Sequence, residues 1–350
     1  MNATGSRFFA GRAVTVTGGA SFIGSHLCRA LLEAGAAVRV VDDFSSGSQH
    51  NLHDIAGDLD ILRLDLRSRP AADAACAGAE IVFHLAAAHG GRGYIDNYQT
   101  ICAENVVIDQ NVLRGALNAG VDKVVLASSA CVYPGYLQRA DTGHRPLRED
   151  QVGPPYDPDG MYGMAKLMGE LTLRNLHREH GLGAAICRYF TAYGPQCGES
   201  HAIVAMIARA FVGTDPFEVW GTGDQVRCWI YIDDLVRMTL LAAQRIDDGG
   251  AVNIASDESH TVRGAAELVL RVTGRQARIV SRPDMPVGPL TRTADTALSR
   301  ALLGYVPRIG LAEGVRRTAQ WYFSTKDEAV VAANLDRLLV EREPLDRRAG

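Results

Sequence analysis

Between residues 13 and 43 the spacing of apolar positions changes twice. Val14 and Val16 alternate with threonine at the two-residue period of a strand, and Gly18 and Gly19 interrupt the run. Ile23, Leu27, Leu31 and Ala34 then recur at helical spacing, and Gly35 closes the helix. Ala37 to Val41 returns to a strand that stops at Asp42 and Asp43. This acid pair begins about 18 residues beyond Gly24, close to the roughly 20-residue offset of a dinucleotide-binding βαβ unit.

The pattern continues. A third strand, Ile61 to Leu64, runs into Asp65 and Leu66, and a fourth, Ile81 to Leu85, is followed by the small residues Ala86 and Ala87. One long helix is expected over 97 to 119, then a fifth strand from Lys123 to Ala127. Strands alternating with helices predict an α/β fold, a doubly wound parallel Rossmann-type sheet with its ligand beyond the carboxyl ends of the strands. The expected division is a dinucleotide-binding domain over 1–190, completed by a later strand, a smaller C-terminal α/β substrate domain over 191–330, and a charged tail over 331–350.

The residue types in the first unit suit a dinucleotide. A turn through Gly18, Ser21 and Gly24 lets backbone approach a pyrophosphate, and the helix start at Phe22 and Ile23 presents N–H groups to its charge. Asp42 or Asp43 can accept hydrogen bonds from both ribose hydroxyls but repels a 2′-phosphate, which selects NAD over NADP. The segment AAAHGGRGY places Gly90 and Gly91 after the fourth strand, either for close approach to a ligand or as a flexible connector.

Composition narrows the class. The 350 residues are 47% hydrophobic, enough for a packed core, and carry a formal charge of −4, which gives no basic footprint for nucleic acid. The seven cysteines are odd in number and widely spaced, so neither a metal cluster nor a disulfide framework is expected, and a cytoplasmic location fits. His50 and His53 have HxxH spacing without further ligands and read as surface histidines. No apolar run is long enough for a membrane span.

Downstream, the fifth strand runs into SSACVYP, and YGMAK follows after a turn-rich loop. Tyr162 and Lys166 stand four apart, so on a helix they share a face, and an ammonium beside a phenol stabilises the phenolate for acid/base work. TGGASFIG, SSACVYP and YGMAK together resemble the extended short-chain dehydrogenase/reductase family that acts on nucleotide sugars. RYFTAYGP, VWGTGDQVRCWIYIDDLV, VNIASDE and TRTADTALSRALLGYVP agree, so the resemblance spans nearly the whole chain.

That resemblance implies a Ser129/Tyr162/Lys166 triad. Tyr162 takes the proton from the sugar C4 hydroxyl, Ser129 hydrogen-bonds the same oxygen, and Lys166 binds the nicotinamide ribose. It also implies adenine contacts from Asp65 and Leu66, cofactor contacts from Leu85, Ala86 and Ala87, and diphosphate contacts from Arg227 and Arg292. Two positions depart from the family pattern. Ser21 replaces a glycine, its hydroxyl placed either to contact the pyrophosphate or to cap the helix, and Thr191 stands where an asparagine contacts substrate.

The residues after Ser129 discriminate among reactions. SSACVYP resembles segments of the GDP-mannose 3,5-epimerases and GDP-fucose synthases, in which the cysteine is an acid/base, and ESHAIVAMIARAF resembles the synthase stretch carrying its histidine partner. Cys131 and His201 are the corresponding residues. With NAD as cofactor, the expectation is a nucleotide-hexose epimerase acting at C3 and C5, GDP-mannose first. The alternatives are a 4-epimerase of UDP-glucose or UDP-glucuronate type, a 4-keto-sugar epimerase/reductase, and an NAD-binding regulatory protein with no need of the triad. Helices near 97–119 and 161–180 imply, by the same resemblance, a homodimer.

Overall fold

The computed structural model describes residues 7–139 and 145–339. Its centre is one parallel sheet of seven strands: β1 (Ala13–Thr17), β2 (Ala37–Asp42), β3 (Leu59–Arg63), β4 (Ile81–His84), β5 (Lys123–Ser129), β6 (Gly183–Tyr189) and β7 (Asp248–Ile254), in the order β7-β6-β5-β4-β1-β2-β3. The order reverses between β1 and β4, and there the connections leave to opposite faces and open a crevice. Strand β4 is buried at all four positions, as a strand covered on both faces must be.

Helices cover both faces. On one, α1 (Phe22–Glu33) contributes Leu27, Cys28 and Leu31 to the core, together with α6 (Ile232–Arg245), while α5 (Ala202–Val212) packs instead against the helices Val262–Thr273, Leu311–Thr325 and Glu328–Leu339. On the other, α2 (Arg69–Cys76), α3 (Asn105–Asn118) and α4 (Gly160–His180) contribute Ala72, Ala75, Val112, Leu113, Leu173 and Leu176. Each set recurs every three or four residues, which is the stripe that a helix turns toward a sheet.

The single helix expected over 97–119 is two, Gln99–Ala103 and α3, preceded by a short helix Arg92–Asn97. The break at Tyr98 (φ −116°, ψ 52°) leaves helical geometry. The start of α3 is fixed by Asn105, whose buried amide accepts from Ala88 N and donates to Ala88 O, tying the helix to the loop after β4. Hydrophobic spacing could not show that tertiary bond.

Beyond β6 the chain also forms short strand pairs outside this sheet. Val226–Arg227 pairs in parallel with Thr291–Arg292, with Arg227 and Arg292 as register partners. The helix Glu328–Leu339 occupies the start of the expected charged tail, and 340–350 lie outside the described residues.

Candidate active site

A continuous cleft of about 1720 Å³ opens beyond the carboxyl ends of the strands. A pocket for one small ligand measures roughly 300–1,000 Å³, so this cleft has room for two. All the residues nominated from the sequence line it, from Gly18, Ser21, Phe22, Ile23 and Gly24 at one end to Arg227 and Arg292 at the other.

At the first end, Gly18 has φ +70°, and a Cβ there would lie 2.9 Å from Ala86 N, so only glycine lets the β1 turn meet the end of β4. Asp42 is 5% exposed; Oδ2 accepts from Ala20 N at 2.9 Å and Oδ1 from Phe44 N at 2.8 Å. Asp43 accepts from Ser45 N at 2.8 Å. Both carboxylates therefore brace the turn and the following loop while lining the cleft. Asp65 is gripped by Arg67 (Nη2 to Oδ2, 2.6 Å), which holds its carboxyl below the usual range, and Leu66 is buried. Ser21 occupies the N-cap position of α1 but makes no capping bond, so of its two expected roles the capping one is absent.

In the middle, β5 delivers Ser129 into a single helical turn, Ala130–Val132, whose first bond runs from Cys131 N to Ser129 Oγ at 3.1 Å. Helix α4 lies directly against this turn: a Cβ on Gly163 would stand 2.3 Å from the Cys131 carbonyl. That close approach presses Tyr162, 6% exposed, against Cys131 and Cys102. Lys166 Nζ is buried without a hydrogen-bond partner among the described residues and sits 3.8 Å from Asp109 Oδ1.

The sequence predicted that Lys166 would ease ionisation of Tyr162. Instead burial, Cys131, Asp109 and Cys102 push the phenol well up, with a hydrogen bond from Ser129 acting the other way. Spacing showed that the ammonium shares a face with the phenol, but not that a carboxylate on α3 faces it too. The orphaned ammonium nevertheless suits the hydroxyls of a nicotinamide ribose, as an unpaired buried donor requires.

His201 is the N-cap residue of α5, and its ring stacks on His89 with centroids 5.9 Å apart. His89 in turn lies 5.1 Å from the Tyr162 ring. Cys131 and His201 thus stand at the two ends of a run of contacts through Tyr162 and His89. His89 was not singled out as a site residue; an imidazole beside Gly90 and Gly91 in a loop after a Rossmann strand was the available signal.

At the far end three guanidinium groups gather. Arg92 and Arg292 both bond Asp159, at 2.6 and 2.8 Å; burial alone would raise that carboxyl, but the two cations hold it at about 2. Arg292 also donates to Gln138 Oε1 at 2.7 Å and to Cys131 Sγ at 3.2 Å, so each of its nitrogens is engaged within the protein. Among the described residues Arg227 bonds only carbonyls, of Val226, Leu290 and Val287, and burial with Arg292 and Arg92 nearby pulls it down to about 9. A cation this poorly compensated favours an arriving anion. His50 and His53 stack in the open, and among the described residues no group of metal ligands is present.

The model of the NAD-dependent epimerase/dehydratase family matches residues 14–255. A GDP-mannose 3,5-epimerase of Arabidopsis thaliana is 33% identical over 313 residues, covering 88% of this chain and 81% of that protein. A UDP-N-acetyl-alpha-D-glucosaminuronate decarboxylase of Bacillus cytotoxicus is 28% identical, covering 88% and 96%. Among solved structures, a UDP-glucose 4-epimerase of Thermotoga maritima with UDP-glucose superposes with a TM-score of 0.81 at 28% identity, covering 89% of this chain and 99% of that one. With a seven-stranded Rossmann sheet, a glycine turn braced by Asp42 and a buried Tyr162–Lys166 pair, the chain belongs to the NAD-dependent epimerase/dehydratase family of enzymes.

Proposed function

We propose that the protein epimerises a nucleotide hexose at C3 and C5 after transient oxidation at C4, with GDP-mannose as first substrate. NAD, when bound, supplies the acceptor for the hydrogen removed from C4. Gly18 to Gly24, Asp42 and Asp43 hold its adenosine and pyrophosphate, and Lys166 its second ribose. Tyr162, hydrogen-bonded to Ser129, takes the C4 hydroxyl proton. Arg227 meets the diphosphate, and Gly90, Gly91 and Thr191 approach the sugar. Once C4 is a ketone, the C–H bonds at C3 and C5 become acidic, and Cys131 and His201 exchange those protons.

The observation that carries the reading is the presence of two further acid/base groups, Cys131 and His201, in the same cleft as Tyr162. A simple 4-epimerase has no use for them. Identity to a GDP-mannose 3,5-epimerase supports the choice, while the likeness to a UDP-glucose 4-epimerase keeps the C4 reaction as the second reading. The test is incubation with GDP-mannose and NMR of the sugar, beside a thermal-shift panel of GDP, UDP and dTDP. Inversion at C3 or C5 with GDP preferred supports the proposal. Turnover of UDP-sugars at C4 alone removes it.

Two further features belong to this reading. Helices α3 and α4 leave Val107, Met164 and Met168 between 41 and 48% exposed, a face suited to a homodimer. All seven cysteines are free thiols, which fits the cytoplasm.

A further inference from the structure

The polar groups buried behind Tyr162 form a directed chain. Thr17 Oγ1 accepts from Ala86 N–H at 3.2 Å and from Leu85 N–H at 3.1 Å, the latter shared with the Thr17 carbonyl. Both acceptor sites are then used, and its own hydrogen goes to His84 Nδ1, 2.7 Å away. With Nδ1 accepting, the neutral imidazole carries its hydrogen on Nε2, which donates to Asp109 Oδ1 at 3.0 Å. Asp109 Oδ1 is therefore an acceptor, and Lys166 Nζ stands 3.8 Å from the same oxygen. His84 and Asp109 are fully buried and Lys166 is 1% exposed.

Asp109 Oδ2 has no hydrogen-bond partner among the described residues, and a Cβ on Gly169 of α4 would already stand 2.6 Å from it. The groups that face Tyr162 and Lys166 are Asp109 of α3, His84 of β4, Cys102 of the short helix before α3, Cys131 after β5 and His89 of the glycine loop. Of these, Asp109 stands 3.8 Å from the lysine nitrogen, with its orientation fixed through Thr17 and His84.

We propose that Asp109 is a positioning residue for the catalytic pair: its carboxylate, aimed by Thr17 and His84, anchors the Lys166 side chain beside Tyr162 and opposes negative charge on the phenol oxygen. The inference rests on Tyr162 being the base of the proposed reaction, but not on which sugar is the substrate. Removing the charge should make Tyr162 a weaker base, because one negative charge opposing the phenolate is gone.

The test uses the NAD-loaded protein with 13C-labelled tyrosine, the Tyr162 ring signal being assigned by its loss in Tyr162→Phe. In Asp109→Asn the Tyr162 signal should titrate at a pH lower by on the order of one unit. Asp109→Ser, which removes the charge with a smaller side chain, should move it the same way. An unmoved signal in both variants, whether it titrates or stays protonated to the end of the range, overturns the proposal. If neither variant folds with NAD present, Asp109 serves stability alone and the proposal also falls. No sugar is needed, so failure of the epimerase reading leaves this result distinct.

Discussion

The guanidinium of Arg292 donates to the sulfur of Cys131 across 3.2 Å, joining residues 161 positions apart. A guanidinium stabilises negative charge on sulfur, and the thiolate is the reactive form. The other six cysteines, Cys28, Cys76, Cys102, Cys187, Cys197 and Cys228, are all pushed up by burial. Iodoacetamide at neutral pH should therefore modify Cys131 first. Arg292→Gln should slow that modification about tenfold, with Arg292→Lys between. Peptide mapping by mass spectrometry reads the rates, and equal rates in parent and Arg292→Gln contradict the role given to the contact.

Tyr162→Phe removes only the ionisable oxygen from a side chain otherwise packed against Cys131 and Cys102. Binding of NAD and nucleotide sugar should stay within about threefold, while reduction of bound NAD by substrate falls by about 10²-fold or more. Stopped-flow absorbance of NADH formation separates the two. A Phe variant that reduces NAD at the parent rate takes Tyr162 out of the base role.

Asp42 accepts from two backbone N–H groups whereas Asp43 accepts from one. Asp43→Ser should relax the preference for NAD over NADP with the fold intact. Asp42→Ala should relax it and also cost about 1–3 kcal/mol of stability by leaving Ala20 N and Phe44 N without their acceptor. Calorimetric titration of both dinucleotides and urea unfolding measure the two effects. Equal affinity of the parent for NAD and NADP would count against both carboxylates.

His26 Nε2 meets the Pro195 carbonyl at 3.1 Å, linking α1 to the segment before α5. Burial outweighs that bond and lowers the imidazole from about 6.5 to about 4. The unfolded chain thus takes up the proton first as pH falls, so stability is lost from pH 6.5 down to about 4 and levels off below. The stability lost over this interval amounts to about 3 kcal/mol. His26→Gln keeps an N–H donor and should show a shallower loss over this interval in urea titrations. An identical slope would mean that His26 does not titrate differently in the two states.

What could be read from the sequence was what neighbours in sequence determine. The β1 turn, the acid at the end of β2 and the Tyr162–Lys166 spacing are each set within one element and its cap, and residues 22–33 and 160–180 form the expected helices. The contacts that tune the site join distant segments: Arg292 to Cys131, His89 to His201, Asp109 to His84. One trace of the last was visible, since Asp109 lies on the same helical stripe as buried Asn105, Val112, Leu113 and Ala116. A carboxylate on an apolar stripe must find a partner, but its identity comes only from the fold. The break between residues 97 and 105 was hidden for the same reason, because Asn105 answers to Ala88 and not to its own helix.

The most direct test of the account is turnover in heavy water. With the nucleotide sugar that the enzyme converts, proton removal and return by Cys131 and His201 should place deuterium from solvent at C3 and C5 of the recovered sugar. Cys131→Ala and His201→Asn should each suppress that exchange while still forming NADH transiently. Conversion that inverts C4 with no deuterium at either carbon would contradict the account and assign the protein to the 4-epimerases.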